Sequence, residues 1–510
     1  MIAQTEVPAR MSSNINMTAV DPDSATNQRQ LFLLVFPPIM LPIFLAVVDS
    51  TIVTTALPAM AASFGDVQRI SWIVVGYLVA NTIAAPVYGR LADMFGRRQL
   101  MQMAIGLFCA ASVMCALSTS LPMLVLARVL QGLGGGGLMT LSQALIGERV
   151  PARQRGHFQG YLAAVIVFAS TFGPVAGGFL TEAFGWPSVF WVNLPVGLLA
   201  MALVRRLPQT DHAGSRAAFD GLGLVLLVLC IAPLLLGLDQ MQRLALSKMP
   251  LIAGLLAVAV TSAIVLVRHE RRIGAPLIPV RLLRDPSIWR ANAMAGFSGG
   301  SLTAMVTFLP IYLQVVGGAS PSETGYLMLP LTAGVGIGSV MAGRLISVTG
   351  RTALIPGLSL LVTFTAYVAA GIWAAQLGRT ELAWLIAAGG FFQGTAMPVA
   401  QITVQHLAGP RMLGAAAGSV QLTRSLGSAL GVSIVGMVLF AALTSRDSHA
   451  ATVFADMVEQ GKSAMDQLPA AAQEAMQVQI VSGFRAAFFT ISTFSASISL
   501  LAWTMPLRRA

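Results

Sequence analysis

The sequence predicts an all-α polytopic membrane protein of 14 transmembrane helices, arranged as two pseudo-symmetric six-helix bundles plus two inserted helices. Three observations carry that prediction. The 510 residues are 56% hydrophobic and only 10% charged, too little charge to cover a water-facing surface. Apolar runs of roughly 17 to 25 residues recur along the chain, each long enough to cross a hydrocarbon layer of about 30 Å. Landmarks of the first half return in order in the second, the mark of an internal repeat.

The first six runs lie at 32–57, 72–91, 101–118, 122–147, 158–181 and 187–204. Two more follow at 220–238 and 251–267, and the last six at 289–315, 323–346, 353–374, 382–405, 413–443 and 484–505. None shows the short polar-apolar alternation of an outer-membrane barrel. The first 30 residues are polar and lack the charged start and cleavage site of a signal peptide, so the first run reads as a retained helix. The predicted organisation is a cytoplasmic tail at 1–31, an N-terminal bundle at 32–204, a linker with two extra helices at 205–284, and a C-terminal bundle at 285–505. A cytoplasmic tail at 506–510 follows, and residues 445–482 form an extracytoplasmic loop in which Ala470 to Ile480 reads as a short amphipathic helix. That helix suits a membrane surface or a periplasmic adaptor, with a plain connector as the simpler alternative.

The net charge of +11 is a matter of placement. Of the 31 Lys and Arg residues, 22 fall on the side of the N-terminus and seven on the other, while Arg128 and Arg424 fall within runs. This asymmetry places both termini in the cytoplasm of an inner-membrane protein. No basic stripe forms on a soluble domain, which argues against nucleic acid and leaves membrane lipids as partners of the basic side. The three cysteines lie in apolar runs and the five histidines are scattered, so neither a disulfide nor a metal site is expected.

Comparing the two ends gives three landmarks. Ala56-Leu57-Pro58 matches Phe308-Leu309-Pro310, Gly89-Arg90-Leu91 through Gly96-Arg97 matches Gly343-Arg344-Leu345 through Gly350-Arg351, and Gln131-Gly132 matches Gln393-Gly394. The offsets are 252, 254 and 262 residues, more than six helices need. The two helices at 220–267 are therefore an insert between repeated halves, the layout of a secondary transporter.

The stretch Gly89-Arg-Leu-Ala-Asp93-Met-Phe-Gly96-Arg97-Arg98 resembles the loop signature of the major facilitator superfamily. Arg128-Val-Leu-Gln131-Gly132 is similar to its fourth-helix motif, and Gly173-Pro174-Val-Ala-Gly177-Gly178 to the fifth-helix motif of its proton antiporters. Asp49 through Pro58, Trp186 through Gly197, and Pro310-Ile-Tyr312-Leu-Gln314 resemble the 14-helix drug:proton antiporter branch. The departures are Ala169, where glycine usually opens the fifth-helix motif, and Pro187, where arginine is common. The resemblance implies that Asp49 and Arg128 carry proton coupling, that Gly89, Asp93, Gly96 and Arg97 form a conformational latch, and that Gly173, Pro174, Gly177 and Gly178 form an antiporter helix.

Each motif also has a physical reading. Gly89 and Gly96 let helices approach closely, and Asp93 can cap a neighbouring helix or pair with Arg97 or Arg98, against a plain solvated turn. Pro174 bends its helix and the glycines around it pack on one face, for a seal or for ordinary packing. Gly132-Leu-Gly134-Gly-Gly-Gly137 contains a formal dinucleotide pattern inside an apolar run with no preceding strand, which fits helix packing instead. Gly461-Lys462-Ser463 ends like a phosphate loop, but Asp456 stands where the first glycine belongs. No catalytic constellation can be assembled, so an enzyme is not expected and no cofactor is implied. Energy is expected from a gradient, which the antiporter resemblance implies is one of protons.

Charges inside apolar runs cost about 2.5–3.5 kcal/mol each at mid-helix, so they are kept for function. Asp49 is placed to gain and lose a proton as access switches, and Arg128 to favour its ionised form, against a static pair holding the N-terminal half together. Their repeat counterparts carry no charge: Asp49 maps to Ser301, Asp93 to Ser347 and Arg128 to Gly390. Coupling is thus expected in the N-terminal half. The substrate cavity is expected to use Gln131, Phe308, Tyr312, Gln314, Phe391, Gln393 and Met397. The expected function is proton-coupled efflux of hydrophobic small molecules, cationic ones among them, by alternating access, with import or facilitation of a small polar metabolite as the alternative.

Overall fold

The computed structural model describes residues 25–65, 69–208, 219–242, 249–274, 276–444, 454 and 470–507. The N-terminal tail up to residue 24, the loop at 445–469 apart from Phe454, the Gly461-Lys462-Ser463 stretch, and the charges Arg10, Arg216, Arg243, Lys248, Arg446, Arg508 and Arg509 lie outside the described residues.

The N-terminal half comprises α1 (Ala25–Phe64), α2 (Trp72–Phe95), α3 (Arg97–Ala116), α4 (Leu121–Arg149), α5 (Ala152–Phe184), the single turn α6 (Ser188–Trp191) and α7 (Asn193–Arg205). Two helices follow, α8 (Gly221–Gln242) and α9 (Met249–Glu270). The C-terminal half comprises α10 (Pro286–Val315), α11 (Pro321–Thr349), α12 (Leu354–Trp373), α13 (Arg379–Gln393), α14 (Ala396–Ala408), α15 (Leu413–Thr444) and α16 (Ala470–Trp503). With α6 joined to α7 and α13 to α14, 14 spans among the described residues are long and apolar enough to cross a membrane.

Local sequence sets the breaks. Gly96 has φ +92°, a backbone angle that costs glycine little, and it turns α2 into α3 without a loop. Asp285 accepts hydrogen bonds from the N–H groups of Ser287 and Ile288 at 2.8 and 3.2 Å, with Pro286 at the first position of α10. Ser320 caps α11 in the same way. The final helix departs from expectation. Ala470 to Ile480 is not a separate amphipathic helix but the first turns of α16, because no proline or glycine interrupts the chain before Gly483 and Met476 and Ile480 bury into the C-terminal core.

The halves pack alike. In the first, α1 lies on α5 and α4 lies between α2 and α3; in the second, α10 lies on α15 and α11 on α13. The glycine run of α4 is packing surface: a Cβ at Gly132 or Gly136 would collide with the carbonyl oxygens of Tyr77 or Asn81 on α2, and one at Gly134 with Phe108 on α3. Between the halves, α2 meets α15 and α5 meets α11. Gly89 faces the backbone of Gly414 and Gly343 faces that of Gly156, two contacts related by the internal repeat. The inserted α8 and α9 pair with each other, and α8 rests against α2 and α15 through Ile83, Leu227, Ile231, Leu235 and Leu422. The α9 residues Leu251, Val258, Val260 and Ile264 are exposed, as a lipid-facing helix requires.

Gly136→Val must push α4 off α2 and is expected to cost more than about 3 kcal/mol, whereas Gly254→Val, with nothing within 4 Å, should be neutral. Thermal unfolding of the detergent-solubilised chain followed by size-exclusion fluorescence checks the pair: the apparent Tm falls for the first and holds for the second.

Candidate functional site

Asp49 sits midway along α1 and Arg128 two turns into α4, both within 1% of full burial. The structure brings them together: Arg128 Nη1 donates to Asp49 Oδ2 at 2.6 Å. The other carboxylate oxygen accepts from Gln131 Nε2 at 2.8 Å and from Asn193 Nδ2 at 2.7 Å. Gln131 Oε1 accepts from Arg128 Nη1 at 2.6 Å, and Ser112 Oγ on α3 accepts from Gln131 Nε2 at 2.8 Å. The guanidinium carbon lies 4.1 Å from the centre of the Tyr77 ring, and Arg128 Nε donates to the carbonyl of Ile73. Three donors, one of them cationic, thus converge on one carboxylate. The burial cost of the pair is offset by this shell and not by Coulomb attraction alone.

Sequence reasoning missed Asn193, Ser112 and Tyr77. The signal for Asn193 was present, since it lies within the Trp186 to Gly197 stretch and is the amide where the sixth span breaks into α6 and α7. Gln131, expected in the substrate cavity, belongs to the Asp49 cluster instead: it lies one turn beyond Arg128 on the same face of α4 and is fully buried.

At one end of the bundle, Asp93 at the end of α2 accepts from the backbone N–H groups of Gly414 and Ala415, both at 2.9 Å, which are the exposed donors at the start of α15. Arg97 Nη2 holds Asp93 at 2.9 Å, and Arg97 Nη1 reaches Glu148 at the end of α4. Arg98 is not a partner of Asp93; it donates to the carbonyl of Arg205 at the end of α7. Gly89, Asp93, Gly96 and Arg97 thus form one joint between the halves, sealed by the Gly89 to Gly414 and Gly156 to Gly343 contacts.

A cavity of about 790 Å³ lies between the halves, walled by α1, α4, α5, α10, α11, α13, α14 and α15. Gln143, Gln159 and Pro398 line it toward the Asp93 joint, and toward the opposite end its lining residues Thr54, Val175 and Tyr326 are exposed. Of the residues expected here, Gln393 and Met397 line it. Phe308 and Tyr312 do not: they are buried in the C-terminal core, Tyr312 edge-on to Phe484 and Phe488, because the face of α10 that carries them turns toward α16. Phe391 packs edge-on to Phe392 with its backbone against Gly334 and Gly338, and Gln314 lies in the last turn of α10, so neither reaches the wall. In α5, Pro174 lines the cavity, while Gly173 and Gly177 press on Thr51, Ile52 and Thr55 of α1. Gly178 faces nothing within 4 Å and takes no part in that packing.

A sequence profile of the Major Facilitator Superfamily matches residues 39–432. The chain belongs to the major facilitator superfamily. This superfamily chain is therefore a transporter and not an enzyme. It is similar to the multidrug transporter protein MdtP of Bacillus subtilis (strain 168), 29% identical over 409 residues that span 79% of this chain and 74% of that one. It is also similar to the efflux pump dotC of Dothistroma septosporum, 33% identical over 333 residues, 64% of this chain and 57% of that one. Among solved structures, the proton:xylose symporter XylE superposes with a TM-score of 0.62 at 16% identity, covering 94% of this chain and 97% of that one. The human organic anion transporter MFSD10 (TETRAN) superposes with a TM-score of 0.60 at 16% identity, covering 92% and 98%. These two share the superfamily fold.

Because Arg128 and Asp49 neutralise each other, Arg128→Met should destabilise the chain by about 3–5 kcal/mol by stranding a buried carboxylate. Adding Asp49→Asn to it should recover part of the loss. A thermal-shift double-mutant cycle checks this; equal and additive losses would show that the pair is not coupled.

Proposed function

We propose that this transporter is a proton-coupled exporter of lipophilic small molecules, working by alternating access in the cytoplasmic membrane with both termini in the cytoplasm. The observation that carries the reading is the separation of two sites. Asp49, a carboxylate buried in mid-helix with its counter-charge, lies wholly in the N-terminal half, and a largely apolar cavity lies between the halves. The C-terminal counterpart of Asp49, Ser301, is a buried hydroxyl 3.4 Å from Ser495. One half therefore carries the titrating group, and both halves carry the substrate wall.

The described helix-end arginines Arg90, Arg97, Arg98, Arg149, Arg205, Arg344, Arg351 and Arg411 belong to the end that carries the Asp93 joint, which supports a cytoplasmic assignment for that end. On that assignment the cavity opens outward while Arg128 holds Asp49. Protonation of Asp49 from outside releases Arg128, loosens α1 against α4, and allows the Asp93 joint to part. Proton release inside then lets substrate be carried out as the joint reforms. The relatives named multidrug transporter and efflux pump support export, and an apolar wall offers a small polar metabolite few partners.

Asp49→Asn keeps the shape and removes the titrating group. In proteoliposomes with an imposed pH gradient, efflux of a fluorescent lipophilic dye should fall to the level of protein-free vesicles, with dye binding retained. Wild-type efflux in this variant would exclude Asp49 as the coupling group.

A further inference from the structure

The cavity between the halves has one charged side chain among its lining residues, and it is a cation. Arg424 lies inside α15, well away from either end, and among the described residues no Asp or Glu shares the wall. Its place within an apolar run of the sequence is thus a place in mid-helix. Unlike Arg128, it makes no hydrogen bond or ion pair among the described residues. Its stem is fixed where α10 approaches α15, since a Cβ at Gly299 would lie 3.2 Å from Arg424 Cγ. By the same repeat offset that relates Gly156 to Gly414, the matching place on α5 is held by Ile166, which also lines the cavity. The cation is therefore an asymmetric feature of this wall and not a remnant of the repeat.

A guanidinium facing an apolar cavity without a counter-ion carries an uncompensated burial cost, and that cost becomes binding energy for a ligand that brings the opposite charge. Guanidinium is weakly hydrated and presents paired donors that match a carboxylate. Gln421 lies one turn before Arg424 on α15, and Ser298 and Gln393, joined by a 3.4 Å hydrogen bond, complete a polar edge on the C-terminal side. Leu162, Ile166 and Val167 on α5 and Leu302, Val306 and Met328 across from them form the apolar remainder.

We infer that the cavity selects lipophilic organic anions of the aryl or alkyl carboxylate class, with Arg424 as the counter-charge and the α5 and α10 aliphatic residues holding the hydrocarbon. This rests on the reading of the cavity as the substrate site and reverses the expectation of cationic substrates. A cation entering the cavity meets Arg424 with no acidic residue to offset the repulsion. Exchange of an outgoing anion for an incoming proton also moves charge in one electrical sense, so the membrane potential would drive the cycle together with the pH gradient.

The test is equilibrium binding to the full chain in lipid nanodiscs without any gradient, so it does not depend on proton coupling or on the direction of transport. The probes are pyrenebutyrate, its neutral primary amide, and the lipophilic cation tetraphenylphosphonium. The wild type should bind the acid about 10-fold tighter than the amide and tighter than the cation, as expected for a charge-assisted contact. Arg424→Gln should bring the acid to the affinity of the amide, and Arg424→Lys should keep most of the preference. The comparison in the wild type needs no substitution, so it stands even if a variant misfolds. Equal binding of acid and amide, tighter binding of the cation, or a preference that survives in R424Q would overturn the inference while leaving the cavity as a lipophile site. Binding of none of the three would overturn the cavity reading itself.

Discussion

The buried carboxylate of Asp49 is the constraint around which the N-terminal half is arranged. It lies at full burial in a helix that must cross lipid, where an uncompensated charge is costly, and it is tolerated because three donors from α4 and α7 converge on its two oxygens. Those donors need α4 seated deep in the half, and the glycines of the run from Gly132 to Gly137 allow it by letting α4 press directly on α2 and α3. The break in the sixth span serves the same end, since it brings the amide of Asn193 to the carboxylate. A change in charge at Asp49 would therefore be felt by four helices at once.

The second constraint is the joint at the far end of α2. Asp93 satisfies the first backbone donors of α15, while glycines on both sides of each inter-half contact let backbone meet backbone. A joint made of a few directional bonds and small residues can part and reform with little repacking, unlike an interface of interdigitated large side chains. The cavity lies beyond this seal, so closure at one end and access toward the other follow from the same contacts.

Much of this was legible in the sequence because lipid permits few solutions. Fourteen apolar runs give 14 spans among the described residues, the first and last extending well beyond their expected bounds to Phe64 and back to Met476, and the Gly89 and Gly343 landmarks return as repeat-related contacts between the halves. Asp49 and Arg128 stood out as charges in apolar runs, yet their meeting depends on how α1 and α4 cross, which no local pattern encodes. The substrate wall was the least legible part. Phe308, Tyr312, Phe391 and Gln314 have the chemistry of ligand contacts, but which face of a helix turns to a cavity and which to its neighbours depends on helix rotation within the bundle. In an all-round apolar helix such as α10, hydrophobic patterning says little about that rotation.

The central claim is that the charge state of Asp49 controls the Asp93 joint. Pulsed electron–electron resonance between spin labels placed at the exposed positions Phe95 and Arg411, in a background with Cys109, Cys115 and Cys230 replaced, reads the separation of α2 from the start of α15 directly. The account predicts that lowering the pH moves the wild type from a short-distance to a long-distance population, and that Asp49→Asn occupies the long-distance population at every pH. A distance distribution in that variant that follows pH as the wild type does would contradict it.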